Sequence, residues 1–150
     1  GCARPPAHGR RDGFDDHPVW ISGAFGGNPL SCQAAMETIE LLENNLMQNA
    51  ARQGQRLFKG LLELQKSYEC MGDVRGKGLM AAVELVKDRE TKEPATGWRN
   101  RIIKKTFEKG LLVLGCGENS IRFCPALTVT AKEIDLGLTI FEEAVKEVAG

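Results

Sequence analysis

The sequence predicts an α+β domain of two layers, with a small, mainly antiparallel sheet packed by helices. Three observations lead there. Apolar residues recur at helical spacing in four separate stretches, and short apolar runs of strand length fill the gaps between them. The strand-like runs come in two pairs, each pair joined by a tight turn rich in glycine. The resulting order is helix, helix, two strands, helix, two strands, helix, which favours local antiparallel pairing under a layer of helices.

The chain opens on Gly1–Trp20 (GCARPPAHGRRDGFDDHPVW), where Gly, Pro, Arg, Asp and His dominate and neither period appears. Residues 1–21 therefore read as an irregular arm anchored by Phe14, Val19 and Trp20, and residues 22–150 as the domain. Gly23–Pro29 is a glycine-rich turn that delivers the chain into a helix. Asn28 suits the N-cap and Pro29 the first helical position. The stripe Cys32, Ala35/Met36, Ile39, Leu42, Leu46 gives that helix an apolar face. Free amides at its N-terminus, together with the glycines before it, would attract a phosphate. A plain loop-to-helix junction explains the same residues.

A second helix follows near Leu46, with Ala50, Gly54, Leu57, Leu61 and Leu64 inward and Arg52, Gln53, Arg56 and Lys59 largely off that stripe. Gly72–Val86 reads as two short strands, or one bent strand, around the Gly76-Lys77-Gly78 turn. The second of them, Leu79–Val86, is apolar apart from Glu84 and is expected to be mostly buried. Gly76–Ala81 matches the dinucleotide pattern G-x-G-x-x-A, but it opens a strand where that pattern must open a helix, so the match is rejected. Asp73 and Arg75 are expected to pair at the surface. Lys87–Gly97 is a polar loop. Trp98–Lys109 is a helix with Ile102/Ile103 and Thr106/Phe107 inward, stopped by Gly110. Leu111–Leu114 is expected to be a buried strand. The last helix carries a capping box, Thr130 with Glu133, and a core stripe of Ile134, Leu138, Phe141, Val145 and Val148.

Composition removes several function classes. The 150 residues are 42% hydrophobic and 27% charged, with Lys+Arg and Asp+Glu equal at 20 each. A zero balance offers no attraction to nucleic acid or an anionic membrane. No apolar run reaches the length of a spanning helix, and no signal-peptide core is visible, so a cytoplasmic location is expected. The five cysteines (Cys2, Cys32, Cys70, Cys116, Cys124) are scattered, and His8 and His17 both lie in the first twenty residues. Neither a metal site nor a disulfide framework is expected, and reduced thiols are the default.

The stretch Gly115–Thr130 (GCGENSIRFCPALTVT) holds the one candidate binding residue. Gly115, Gly117 and Asn119 suit a turn, Ser120–Cys124 a strand, and Pro125 ends it. Arg122 is a permanent cation among residues that favour burial. A buried guanidinium needs a partner, and its planar fork suits a carboxylate. That partner is either an acidic side chain, Glu84 being the nearest candidate in sequence, or a bound small acid.

Three stretches, Gly23–Cys32 (GAFGGNPLSC), Gly72–Leu85 (GDVRGKGLMAAVEL) and Gly110–Thr130, resemble the C-terminal part of class III (4-aminobutyrate/acetylornithine-type) pyridoxal-phosphate aminotransferases. They occur in that family's order, and the likeness runs from Ser22 to the end. The resemblance implies that Arg122, which precedes Phe123-x-Pro125-x-Leu127-Thr128, binds the substrate carboxylate. It implies that Gly23, Ala24 and Phe25 reach the cofactor phosphate of a neighbouring subunit. Ala24 stands where the family usually has threonine, so a hydroxyl contact is lost. It further implies a homodimer and amino transfer from an ω-amino acid or acylated diamino acid to 2-oxoglutarate.

The family's Schiff-base lysine belongs to an upstream segment with no counterpart here, and Lys77, Lys104 and Lys105 stand at non-matching positions. No catalytic residue is therefore assigned, and the isolated chain is expected neither to hold pyridoxal phosphate nor to transaminate. A non-catalytic, self-associating module and a small-carboxylate binding domain are the alternatives.

Overall fold

The computed structural model describes residues 27–149. They fall into two compact units, divided between Glu43 and Asn44. The arm assigned to residues 1–21 lies outside the described residues.

In the first unit, α1 (Pro29–Leu41) starts as the sequence predicts. Asn28 caps it, its Oδ1 accepting from Leu30 N at 2.9 Å and Ser31 N at 3.4 Å, with Pro29 at the first position. Its apolar stripe, however, is not withdrawn from water: Met36 and Ile39 are exposed, and α1 buries no residue. A π-helical turn, Leu42–Leu46, follows it in the chain.

The second unit begins with α2 (Met47–Ser67), which leads into a hairpin of β1 (Met71–Lys77) and β2 (Met80–Leu85). Helix α3 (Thr96–Glu108) comes next, then a second hairpin of β3 (Leu114–Cys116) and β4 (Ser120–Phe123), then α4 (Ala131–Ala149). The sheet order is β1-β2-β4-β3 with every neighbour antiparallel. This is the α+β fold with a small antiparallel sheet that the sequence predicts.

Helix α2 packs on β1, β2 and α4, while α3 packs on β2, β3, β4 and α4. The three helices thus cover one face of the sheet. Between the layers lie Leu57, Leu61, Ala81, Val83, Leu85, Ile102, Ile121, Phe123, Ile134, Phe141 and Val145. Phe123 of β4 meets Phe141 of α4 edge to face, ring centroids 5.0 Å apart and planes at 86°, a favoured aromatic geometry. Gly54 lets α2 approach the first hairpin closely: a Cβ there would lie 2.4 Å from the carbonyl oxygen of Gly78. Gly110 takes a φ of 90° after α3, the left-handed conformation expected of a helix-ending glycine. The capping box of α4 forms as expected, with Glu133 accepting from Thr130 N at 2.8 Å and Thr130 Oγ1 accepting from Glu133 N at 3.4 Å.

Two expectations about burial need correction. Leu111–Leu114 is not a buried strand: β3 starts at Leu114, only Val113 of that stretch is buried, and Leu112 and Leu114 are exposed. Phe107 of α3 is exposed as well. The run Leu79–Val86 is mostly buried, as expected, with Met80 exposed and Ala82 and Glu84 half-buried. The open positions of the strands share a cause. Successive side chains of a strand point to opposite faces, and in a two-layer fold only one face is covered.

Candidate functional site

Strand β4 is central, hydrogen-bonded to β2 on one side and β3 on the other. Its start is anchored by Asn119. This residue's Nδ2 donates to Leu85 O at 2.7 Å, and its own carbonyl accepts from Leu85 N at 3.0 Å. Its exit is anchored by Asn49 of α2, whose Nδ2 donates to Leu127 O at 2.8 Å and Val129 O at 3.0 Å. The Asn49 Oδ1 accepts in turn from Arg52 Nη2 and Gln53 Nε2, so the buried amide is satisfied on both ends.

Within this fixed strand Ile121 and Phe123 point into the core and Arg122 points to the uncovered face, where it is exposed. This corrects the expectation of a buried Arg122, whether its partner was to be Glu84 or a bound small acid, and Glu84 is not its partner. Among the described residues Arg122 has no ion pair. Strand alternation, rather than a buried carboxylate, is what accommodates the cation.

Glu84 is engaged by another arginine. Arg75 stands in the same cross-strand row as Arg122, with Ala82 between them. Its Nη1 donates to Asp73 Oδ2 at 2.9 Å and Glu84 Oε2 at 2.7 Å, and its Nη2 reaches Ser120 Oγ at 3.4 Å. Hydrogen bonds to Asp73 and then Glu84 push the Arg75 pKa further above its ordinary value. The guanidinium also covers Ser120, which explains why that serine is buried on an otherwise open face. The expected Asp73–Arg75 pair is present, and the sequence reading missed the addition of Glu84 to it. Period-two spacing places Asp73 and Arg75 on one face of β1, but the β2 residue that joins them is set by the strand register.

The directly opposed neighbours of Arg122 are Ala82 on β2 and Leu114 on β3. Met80, two residues from Ala82 on the same face, is exposed. An unpaired cation bordered by apolar side chains can hold an anion. A cavity of about 220 Å³ lies beyond Arg75, lined by Gly72, Asp73, Glu84, Val86, Arg89 and Lys92, and Arg122 takes no part in it.

Gly23, Ala24 and Phe25, the residues assigned to a cofactor phosphate, lie outside the described residues. What the structure does describe is the helix end that follows them. The Leu30 and Ser31 amides are already bonded to Asn28, Pro29 has no N–H, and Cys32 N bonds Asn28 O at 2.9 Å. The first-turn amides of α1 are therefore not free for a phosphate, which corrects that part of the sequence reading.

The described residues do not fit pyridoxal phosphate as an imine-forming site. Such a lysine needs a desolvated or electrostatically tuned amine. Lys104 and Lys105 are exposed or half-exposed and face Glu108, with Lys105 also facing Glu147. Lys77 is exposed at the end of β1. No group of His, Cys, Asp and Glu suited to a metal occurs among the described residues, and no described helix is long and apolar enough to cross a membrane. The described cysteines, Cys32, Cys70, Cys116 and Cys124, are free thiols, and burial raises the pKa of Cys70.

Comparison with known proteins adds the following. The family model described as aminotransferase class-III matches residues 16–145. A leucine/methionine racemase of Thermococcus litoralis is 41% identical over 143 residues, covering 93% of this chain and 32% of the relative. The 5-aminovalerate aminotransferase of Pseudomonas aeruginosa is 36% identical over 135 residues, covering 88% and 32%. The 4-aminobutyrate aminotransferase of Escherichia coli is 36% identical over 133 residues, covering 87% and 31%. Among solved structures, a Bacillus anthracis aminotransferase superposes with a TM-score of 0.79 at 31% identity, covering 91% of this chain and 32% of that one. An amine transaminase from an uncultivated Pseudomonas species, in its PLP-bound form, gives 0.75 at 34% identity, covering 88% and 29%. The chain thus spans about a third of the length of the relatives it matches.

Proposed function

Because the chain belongs to the class III aminotransferase family, we propose that it is the carboxylate-recognising C-terminal portion of an aminotransferase, inactive by itself. In this reading Arg122 holds the carboxylate of an ω-amino acid or acylated diamino acid whose amino group passes to 2-oxoglutarate. Gly23, Ala24 and Phe25 approach the cofactor phosphate of a second subunit. When bound to the whole enzyme, pyridoxal phosphate supplies the electron sink for the amino transfer. This chain's own contribution is orientation: a fixed central strand aims a guanidinium at the substrate's acid, away from the reacting amine. The observation that carries the reading is Arg122, exposed on the open sheet face and free of ion pairs among the described residues.

The experiment is complementation. The chain is co-refolded with the upstream two-thirds of a 4-aminobutyrate aminotransferase and pyridoxal phosphate, then supplied with 4-aminobutyrate or N-acetylornithine and 2-oxoglutarate. Glutamate should form only in the mixture, and Arg122→Ala should raise KM for the donor by tenfold or more, in line with the roughly 1.5–3 kcal/mol of a charged hydrogen bond. Glutamate made by the 150 residues alone above the free-cofactor background would overturn the reading. So would a complemented activity indifferent to Arg122→Ala.

A second reading, a non-catalytic self-associating module, is favoured by one observation: α1 exposes Leu30, Met36, Ile39 and Leu41 and buries nothing. Apolar patches of this kind promote association. Sedimentation equilibrium separates the two readings: a dimer that forms without upstream residues and is weakened by Ile39→Glu favours the module.

A further inference from the structure

We infer that Arg75 is a positioning residue: by holding Glu84 it keeps Arg122 from being captured inside its own sheet. This rests on the reading of Arg122 as the carboxylate-binding residue and names what leaves that cation unpaired. On the open face Glu84 of β2 stands between two arginines. The register puts Arg75 of β1, Ala82 of β2 and Arg122 of β4 in one row, and Asp73, Glu84 and Ser120 in the next. Each arginine is therefore a diagonal neighbour of Glu84, one from either side. Diagonal neighbours lie roughly 7–8 Å apart, within reach of two long side chains. By position alone Glu84 can pair with either.

The neighbours of the two arginines break the tie. Two residues before Arg75 stands Asp73, whose Oδ2 accepts from Arg75 Nη1 at 2.9 Å. The same Nη1 donates to Glu84 Oε2 at 2.7 Å, and Nη2 lies 3.4 Å from Ser120 Oγ. Two residues before Arg122 stands that same Ser120, which brings no charge. The Arg75 fork is thus fixed by groups from three strands, and Glu84 is drawn toward β1. Without Arg75, Glu84 would be left with Arg122 on its other diagonal, and the resulting pair would cancel the charge that a ligand needs. Arg89 and Lys92 line a cavity with Glu84. Arg89 is committed to the carbonyls of Gln65, Tyr68 and Glu69, so Lys92 is the competitor for a released Glu84.

The test is an NMR titration of the 150-residue chain with butyrate, read on the backbone amides of Ile121–Phe123 and the Arg122 side-chain Nε–H. Arg75→Met should weaken the butyrate response by about threefold, as expected when an exposed ion pair competes with the ligand. Adding Glu84→Gln should restore the wild-type affinity, whereas adding Asp73→Asn should not. The two double variants have the same net charge as wild type, so a difference between them is not a long-range field effect. An unchanged thermal midpoint would confirm folding. If Arg75→Met unfolds the chain, Arg75→Lys, a point charge without the fork, should show a smaller loss that Glu84→Gln again reverses. No loss on removing Arg75, as capture of Glu84 by Lys92 would give, overturns the inference. Equal recovery in both double variants, or recovery in neither, overturns it too, and each of these leaves Arg122 as the acid's anchor. No response in wild type, or one that persists in Arg122→Leu, overturns the Arg122 reading and the inference with it.

Discussion

Toward the helices, the sheet presents Ala81, Val83, Leu85, Ile121 and Phe123, all withdrawn from solvent. Toward the other side the same strands present Arg75, Met80, Arg122 and Leu114, all exposed. The two faces share a backbone and alternate residue by residue, so the difference is not one of strand composition. It reflects where a second layer exists. Helices α2, α3 and α4 remove one face from water, and within the second unit no element covers the other. The packed face carries the folding free energy, and the open face carries the groups available to a ligand. Substitutions that separate these two roles test the division.

The largest expected effect is on the packed face. Phe141→Ala removes a fully buried ring that meets Phe123 edge to face, and should cost about 3–5 kcal/mol in urea unfolding. Leu114→Ala, a similar apolar truncation on the open face, should stay within about 0.5 kcal/mol. Equal losses at the two positions would mean that the open face is covered in solution.

A smaller effect is expected inside the open face. Arg75→Ala leaves Asp73 and Glu84 directly opposed in register with no cation between them. Because all three groups are partly solvated, the loss should be up to about 1 kcal/mol. It should grow on lowering the salt concentration, as screening of the two carboxylates weakens. A loss insensitive to salt would assign the role of Arg75 to packing over Ser120.

This division also explains what was legible in the sequence. Element order, the Asn28 and Thr130 caps and the Gly110 stop were readable, because each rests on local chemistry within a few residues. The inward stripes of α2 and α4 were readable because helical period fixes a face. The strands misled in one respect: an apolar run such as Leu111–Leu114 or Ser120–Cys124 fits burial on both faces or on one, and only the number of layers decides. A two-layer fold already implied one open face, and carrying that through would have placed Arg122 outside. The partner of Glu84 was not legible, because it depends on the register that brings Arg75, Ala82 and Arg122 into one row. Nor was the Asn49–Gln53 pair, polar residues flanking the inward stripe of α2, whose acceptors lie 78 and 80 residues further along the chain.

The smallest expected effect on stability is at Arg122, and it sharpens the comparison most. Had the guanidinium been buried against Glu84, removing it would leave an uncompensated buried charge, a loss on the order of 3–5 kcal/mol. In the observed arrangement Glu84 belongs to Arg75, and Arg122 stands in water between Ala82 and Leu114. Arg122→Ala should therefore leave the unfolding free energy within about 0.5 kcal/mol of wild type, with no added salt dependence. The same substitution should abolish the carboxylate response of the open face. Urea melts at low and high salt, run beside the NMR titration, read both quantities on one sample. A stability loss of several kcal/mol would place Arg122 in the ion pair with Glu84 that Arg75 holds. A silent melt with a lost ligand response would make Arg122 a residue kept for binding rather than for folding.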